Sequence, residues 1–240
     1  DSINLKIIGG FIFDNLHISK EHNLINKKII KTCDLLKKLN AEFYVIIDHL
    51  DVKRMKTSGK NSIACQLDLS EYKLLVSFLK KISKICYEDF GLKPVLHPHA
   101  GTYIENELEI ENIINDVDSR YMGICIDTAH LYYCGVDVCQ TIQKYSNLIM
   151  HIHFKDINQD VLNMVYNNNL DFDSAVKNQV FCPLGNGVID FKKIINQLNN
   201  INYNGYATIE QDIDPNEGLD SINYAMKSLS YLEKLGCKKL

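Results

Sequence analysis

Residues 122–131 read Met122-Gly123-Ile124-Cys125-Ile126-Asp127-Thr128-Ala129-His130-Leu131. The apolar run is short, carries β-branched side chains, and stops on an acid that a histidine follows three residues later. A brief, unbroken apolar run is the signature of a strand buried on both faces, as in a parallel sheet covered by helices. The unit recurs on either side, as Ile46-Ile47-Asp48-His49, Val95-Leu96-His97-Pro98-His99, Ile149-Met150-His151-Ile152-His153 and Tyr206-Ala207-Thr208-Ile209-Glu210. Six of the eight histidines lie at or just beyond the ends of such runs. Imidazoles and carboxylates gathered where buried strands surface are what a divalent metal requires, and a barrel of parallel strands carries its active site at that end.

Worked outward, the pattern alternates. Strands are expected over Leu5 to Phe13, Glu42 to Asp48, Pro94 to His97, Met122 to Asp127, Leu148 to His153 and Tyr206 to Glu210. Between them, apolar residues spaced by three and four predict helices over Leu24 to Leu39, Tyr72 to Cys86, Asp190 to Leu198 and Leu219 to Leu235. Asp68 or Ser70 caps the second of these, and Asp190 starts the third. The Asn-rich segment from Asn158 to Asn178 is long for a plain connection and is expected to be a lid or insertion over the site. The class is therefore α/β, a single TIM-barrel domain over residues 1–240. A (β/α)8 barrel needs eight strands and six are legible. The expectation is a barrel lacking its first two β/α units in this chain, or receiving them from a partner chain.

The totals remove several classes of function. A chain of 240 residues, 46% hydrophobic, can bury a full core. A net charge of −4 with scattered lysines offers no footprint for nucleic acid. No run approaches the roughly 18 apolar residues of a membrane span, and Asp1-Ser2-Ile3-Asn4-Leu5-Lys6 lacks a secretory pattern. Eight cysteines without a C-x-x-C pair read as reduced thiols in a cytoplasmic protein; Cys134 and Cys139 are read as structural.

Four segments carry the chemistry. Residues two apart in a strand share a face, so His97 and His99 can both point inward, as can His151 and His153. Satisfied core histidines are the plainer reading of each pair. Asp127 can bind a metal with His130 reaching substrate, or it can simply cap a helix. Glu210 ends an apolar strand, where an unpaired carboxylate costs several kcal/mol. Together these residues form a mixed nitrogen and oxygen set suited to Mn²⁺, Co²⁺, Fe²⁺ or Zn²⁺. Without cysteine the set is not a structural zinc site. Gly185-Asn186-Gly187 can cradle an anion or form a tight turn into the next helix. Tyr132 and Tyr133 can line the mouth or pack.

At these residues the sequence resembles the xylose-isomerase-like TIM-barrel superfamily of sugar isomerases, epimerases and apurinic endonucleases, and within it the inosose dehydratase group. The segments are His97-Pro98-His99-Ala100-Gly101-Thr102-Tyr103-Ile104-Glu105, Asp127-Thr128-Ala129-His130-Leu131, His151-Ile152-His153-Phe154-Lys155-Asp156, Pro183-Leu184-Gly185-Asn186-Gly187-Val188-Ile189-Asp190-Phe191 and Ile209-Glu210-Gln211-Asp212. They cover residues 93–215, and Gly9-Gly10-Phe11-Ile12-Phe13 is similar to the third strand of that fold.

The resemblance implies a metal held by His97, Asp127, His153 and Glu210, with His99 and Glu105 as alternatives to His97 for completing the shell. His97 stands where the isomerases carry glutamate, and Asn186 where relatives often do. The ion implied is Mn²⁺ or Co²⁺, with Zn²⁺, Fe²⁺ or Mg²⁺ as alternatives. The activity implied is dehydration of a keto-cyclitol, an inosose of inositol catabolism. It proceeds by α-proton abstraction and β-hydroxyl elimination through a metal-stabilised enediolate. Glu210, His97 or His99 is the base in that scheme. His130 and Lys155 contact substrate oxygens or protonate the leaving hydroxyl, and His151 and Asn186 are further substrate contacts. The alternatives are a sugar isomerase or epimerase, a truncated ligand-binding relative without catalysis, and an apurinic endonuclease, which the acidic charge disfavours. A small polyol or keto-sugar is the expected partner, with neither nucleic acid nor membrane, and a homo-oligomer is compatible.

Overall fold

A computed structural model describes residues 5–213, 218 and 220–238. Its centre is a six-stranded parallel sheet, the wall of an α/β half-barrel. The strands are β1 (Gly9–Asp14), β2 (Phe43–Asp48), β3 (Lys93–Leu96), β4 (Gly123–Asp127), β5 (Ile149–Phe154) and, later in the chain, β8 (Ala207–Ile209). They run in the order β1-β2-β3-β4-β5-β8, with every neighbouring pair parallel. Two short strands, β6 (Asp156–Ile157) and β7 (Phe181–Cys182), form a separate antiparallel pair. The helices are α1 (His22–Lys38), α2 (Val52–Thr57), α3 (Leu69–Glu88), α4 (Glu107–Asp116), α5 (Thr128–Tyr133), α6 (Val138–Lys144), α7 (Gln159–Asn167), α8 (Phe172–Lys177), α9 (Phe191–Asn200) and α10 (Ser221–Lys234).

The pleat sorts the side chains. Phe43, Val45, Ile47, Val95 and Cys125 form a small apolar cluster. Their neighbours Tyr44, Ile46, Leu96, Ile124 and Ile126 belong to the large core shared with the helices. Because the period is two, the face that holds Val95 and Cys125 continues to His97 and Asp127 at the strand ends.

All six anticipated strands form, with β1 departing most from its expected start. β1 begins at Gly9 rather than Leu5, which is 79% exposed. Gly9 is where β1 closes on β2: a Cβ there would lie 2.9 Å from the Phe43 carbonyl oxygen. β1 and β8 are the sheet edges, and Lys6 Nζ bridges them by donating to Tyr206 Oη (2.7 Å) and Glu42 Oε1 (3.2 Å). Asp68 caps α3 in a capping box with Glu71, and Asp190 caps α9. Leu219, expected to open the last helix, lies outside the described residues. The segment 158–178 forms α7 and α8, capped by Asn158 and Asp171. It is tied to the loop after α2 by Lys60 Nζ, which donates to Asn169 Oδ1 (2.5 Å) and the Leu170 carbonyl (3.2 Å). Among the described residues, no helix is long and apolar enough to cross a membrane, and all eight cysteines are free.

Candidate metal centre

The inner face delivers one residue from each of four adjacent strand ends to a common point. His97 follows β3, Asp127 closes β4, His153 lies in β5 and Glu210 follows β8. One ligand atom from each lies within 4.8 Å of all the others. His97 Nε2 is 3.7 Å and His153 Nδ1 3.9 Å from Asp127 Oδ2, and His153 Nδ1 is 2.5 Å from Glu210 Oε2.

Local hydrogen bonds set which atoms face inward. His97 Nδ1–H donates to the Pro98 carbonyl (2.8 Å), leaving Nε2 with its lone pair for the centre. Asp127 divides its two oxygens. Oδ1 accepts from the backbone N–H groups of Ala129 and His130, both at 2.9 Å, and so caps α5. Oδ2 faces His97 and His153. The acid is cap and ligand candidate at once.

Two residues further along the same face stands a second tier. His99, His130 and Asp212 bring ligand atoms within 4.8 Å of one another. Between the tiers lies Lys155, with no exposed surface. Its Nζ is 2.8 Å from Asp212 Oδ2, 2.9 Å from His130 Nε2, 3.4 Å from Asp127 Oδ2 and 3.7 Å from Glu210 Oε2.

Burial opposes every charge here, and the neighbours decide the outcome. Lys155 and the imidazoles override burial to hold Asp127 well below the usual carboxylate range. Lys155, together with His130, does the same for Asp212, and Lys155 with His153 lowers Glu210. The three carboxylates in turn raise Lys155, so its amine stays charged. Burial lowers His99, reinforced by His130, and lowers His130, reinforced by Lys155, which keeps both neutral. Burial works against a charged His97, yet Asp127 outweighs it and raises the pKa, so this position favours a positive centre.

This donor set fits a divalent cation. His153 Nδ1 and Glu210 Oε2 face each other with no further partner, Asp127 Oδ2 accepts no well-aligned hydrogen bond, and all three buried atoms converge on the centre. Three ionised carboxylates against one ammonium leave a net charge of −2, which one divalent ion balances. Two nitrogens and two oxygens suit Mn²⁺, Co²⁺, Fe²⁺ or Zn²⁺.

Residues 8–235 match the family described as xylose isomerase-like TIM barrel. The chain belongs to that family. An inosose dehydratase of Clostridium beijerinckii is 32% identical over 242 residues, covering 98% of this chain and 79% of that protein. One from Geobacillus kaustophilus is 35% identical over 166 residues, covering 69% of this chain and 53% of that protein. The solved structure of the IolI protein with a binding zinc atom superposes with a TM-score of 0.71 at 15% identity, over 95% of this chain and 75% of its own. That last likeness shows the fold.

The other candidate residues of this xylose isomerase-like barrel fall in different places. Glu105 is no part of either tier: it accepts from Gly101 N–H (2.7 Å) and Ser58 Oγ (2.9 Å) and pairs with Arg54. His99 joins the second tier and not the quartet. His151 sits one pleat deeper, where Nε2 meets Thr208 Oγ1 at 3.0 Å and burial lowers its pKa to about 4. It lines a cleft of about 460 Å³ together with Phe13, His99, His153, Glu210 and Asp212. Asn186 is exposed and lines outer-surface hollows, away from both tiers. The Gly185-Asn186-Gly187 turn does cradle an anion, but the anion is the Asp156 carboxylate. That group accepts from Gly185, Gly187 and Ile189 N–H at 2.9–3.1 Å. Tyr133 is buried packing.

Sequence reasoning passed over three residues. Asp212 repeats the two-residue step from Glu210 that His99 makes from His97 and Lys155 from His153, and that repeat was the available signal. Phe172 and Phe181 set their rings 6.0 and 5.2 Å from His130. They come from α8 and β7, where no local pattern announces a role.

Proposed function

We propose that this chain is a metal-dependent carbon–oxygen lyase that dehydrates a keto-cyclitol of the inosose type. The observation that carries the reading is the convergence of His97, Asp127, His153 and Glu210 beside a fully buried ammonium. Kinship with inosose dehydratases supplies the substrate class.

A divalent ion held by the quartet would act as a Lewis acid toward a ketone oxygen, making the adjacent C–H acidic. Glu210, kept ionised, is the base for that α-proton, and its second oxygen is available to receive it. His99, neutral with Nδ1–H bound to the Ala100 carbonyl (2.8 Å), presents Nε2 to a substrate hydroxyl. The β-hydroxyl leaves as water when Lys155 donates a proton to it. His130, 2.9 Å from Lys155 Nζ, orients the ammonium. Phe172 and Phe181 roof this tier and limit water. His151 lines the deeper end of the cleft, and Asn186 has no part in this scheme. General acid–base steps of this kind contribute roughly 10²–10⁴-fold each.

The test is incubation of the purified protein with an inosose and Mn²⁺ or Co²⁺, followed by ultraviolet absorbance of the diketone product. Metal-dependent growth of that absorbance is expected. A changed ketose or cyclitol without loss of water would replace the reading with an epimerase. Ion binding with no turnover across a panel of keto-inositols and ketoses would replace it with a binding protein.

A further inference from the structure

The second tier has the makings of a cation site in its own right. His99, His130 and Asp212 offer two imidazole nitrogens and a carboxylate oxygen within 4.8 Å of one another. His99 Nδ1–H is committed to the Ala100 carbonyl, so its Nε2 keeps a lone pair for an ion. The position is already taken. Lys155 Nζ stands 2.9 Å from His130 Nε2 and 2.8 Å from Asp212 Oδ2, on a side chain 1% exposed.

We propose that the Lys155 ammonium fills a second metal position framed by His99, His130 and Asp212, and that this lysine limits the protein to one divalent ion. The proposal rests on reading the lower quartet as the first ion's site.

Charge and hydrogen bonding both support it. An ammonium has three donors, and Lys155 finds the Asp212, Asp127 and Glu210 carboxylates around it, so its burial is compensated. Without that positive charge, the three carboxylates, one fully buried and two half-buried, exceed what one divalent ion neutralises. A second ion then becomes the available compensation, and the nitrogen and oxygen donors for it stand in place. The exchange has a chemical consequence. A metal ion accepts electron pairs only, whereas an ammonium carries protons. Lys155 therefore sets a proton donor next to a Lewis acid, the pairing an elimination of water needs.

The experiment counts ions. Wild type, Lys155→Met, Lys155→Arg and the double variant Lys155→Met/Asp212→Asn are loaded with excess Mn²⁺, desalted and analysed for metal per chain. One ion is expected in wild type and Lys155→Arg, two in Lys155→Met, and one again in the double variant. Exchange coupling between two Mn²⁺ ions in the electron paramagnetic resonance spectrum of Lys155→Met is the independent signature. A Lys155→Met protein holding no more metal than wild type overturns the proposal. Wild type holding none, with a gain of one in Lys155→Met, instead overturns the reading of the lower quartet. Should neutral variants at 155 not fold, Asp212→Asn and His99→Ala decide in the otherwise native chain. An unchanged count of one supports the proposal, and loss of the ion overturns it.

Discussion

Arg54 Nη2 lies 2.9 Å from Glu105 Oε1 and 2.9 Å from Glu109 Oε2, and the Arg54 side chain has no exposed surface. Its Nε and Nη1 donate to the carbonyls of Thr102 and Cys65, both at 2.8 Å. One guanidinium thus joins α2, the loop after β3 and the start of α4, holding the His97-Pro98-His99 segment from behind.

Replacing Arg54 with Ala leaves two buried acids facing each other without a cation. Breaking such a pair costs about 3–5 kcal/mol. Urea denaturation should show that loss, and a variant as stable as wild type would remove Arg54 from this role.

Glu105 gives a pH dependence. Burial pushes its carboxyl from 4.5 up to about 7, against the opposing pull of Arg54. The folded chain therefore holds that proton more tightly than the unfolded chain does. The stability it contributes is fully present below about 4.5 and is lost as pH rises through about 7. Urea midpoints should fall from pH 5 to pH 8 in wild type and fall less in Glu105→Gln. Parallel profiles would refute the assignment.

Glu210→Gln keeps the shape of the side chain and removes both its charge and its basicity. Turnover of an inosose should drop roughly 10²–10⁴-fold with the circular dichroism spectrum unchanged. Near-native turnover would take Glu210 out of the mechanism.

Chelation should destabilise the folded chain. An ion that binds only the native state adds about 2.7 kcal/mol at one hundred times its Kd. The melting temperature should therefore climb with added Mn²⁺ or Zn²⁺, and Asp127→Asn should abolish the climb. A melt indifferent to metal in wild type would count against the centre.

Asp156→Asn should destabilise the 183–189 turn by about 1–3 kcal/mol, since backbone donors lose a charged acceptor. Gly187→Ala should do so as well, because a Cβ there would lie 2.3 Å from Asp156 Oδ1. Metal content should stay at the wild-type level in both, as measured on desalted protein.

The sheet was legible because its strands are fully buried, and continuous apolar runs such as Ile124-Cys125-Ile126 have few other uses. The quartet was legible for a related reason. A polar residue that continues a buried face by the two-residue step must meet other polar groups, which marks the strand-end histidines and acids as a set, while the choice of His97 and His153 within their pairs rests on the family resemblance. Glu105 misled because its sequence neighbourhood is as histidine-rich as that of His97, and only the tertiary position of Arg54 reveals its partner. Phe172 and Phe181 were hidden for the opposite reason: an aromatic ring on a short helix or strand reads as packing until its neighbour proves to be His130. The Asn-rich stretch, expected to be a lid or insertion, is helical because Asn158 and Asp171 serve as helix caps.

Every reactive group described comes from one arc of the wall, β3, β4, β5 and β8, while β1 and β2 contribute Phe13, Val45 and Ile47 to the facing side of the cleft. On the proposed reading, chemistry and selectivity fall to different stretches of chain. Drift in the first 50 residues can retune which molecule fits while the bond-breaking apparatus stays as it is, so a lineage built this way can change diet without reinventing its reaction.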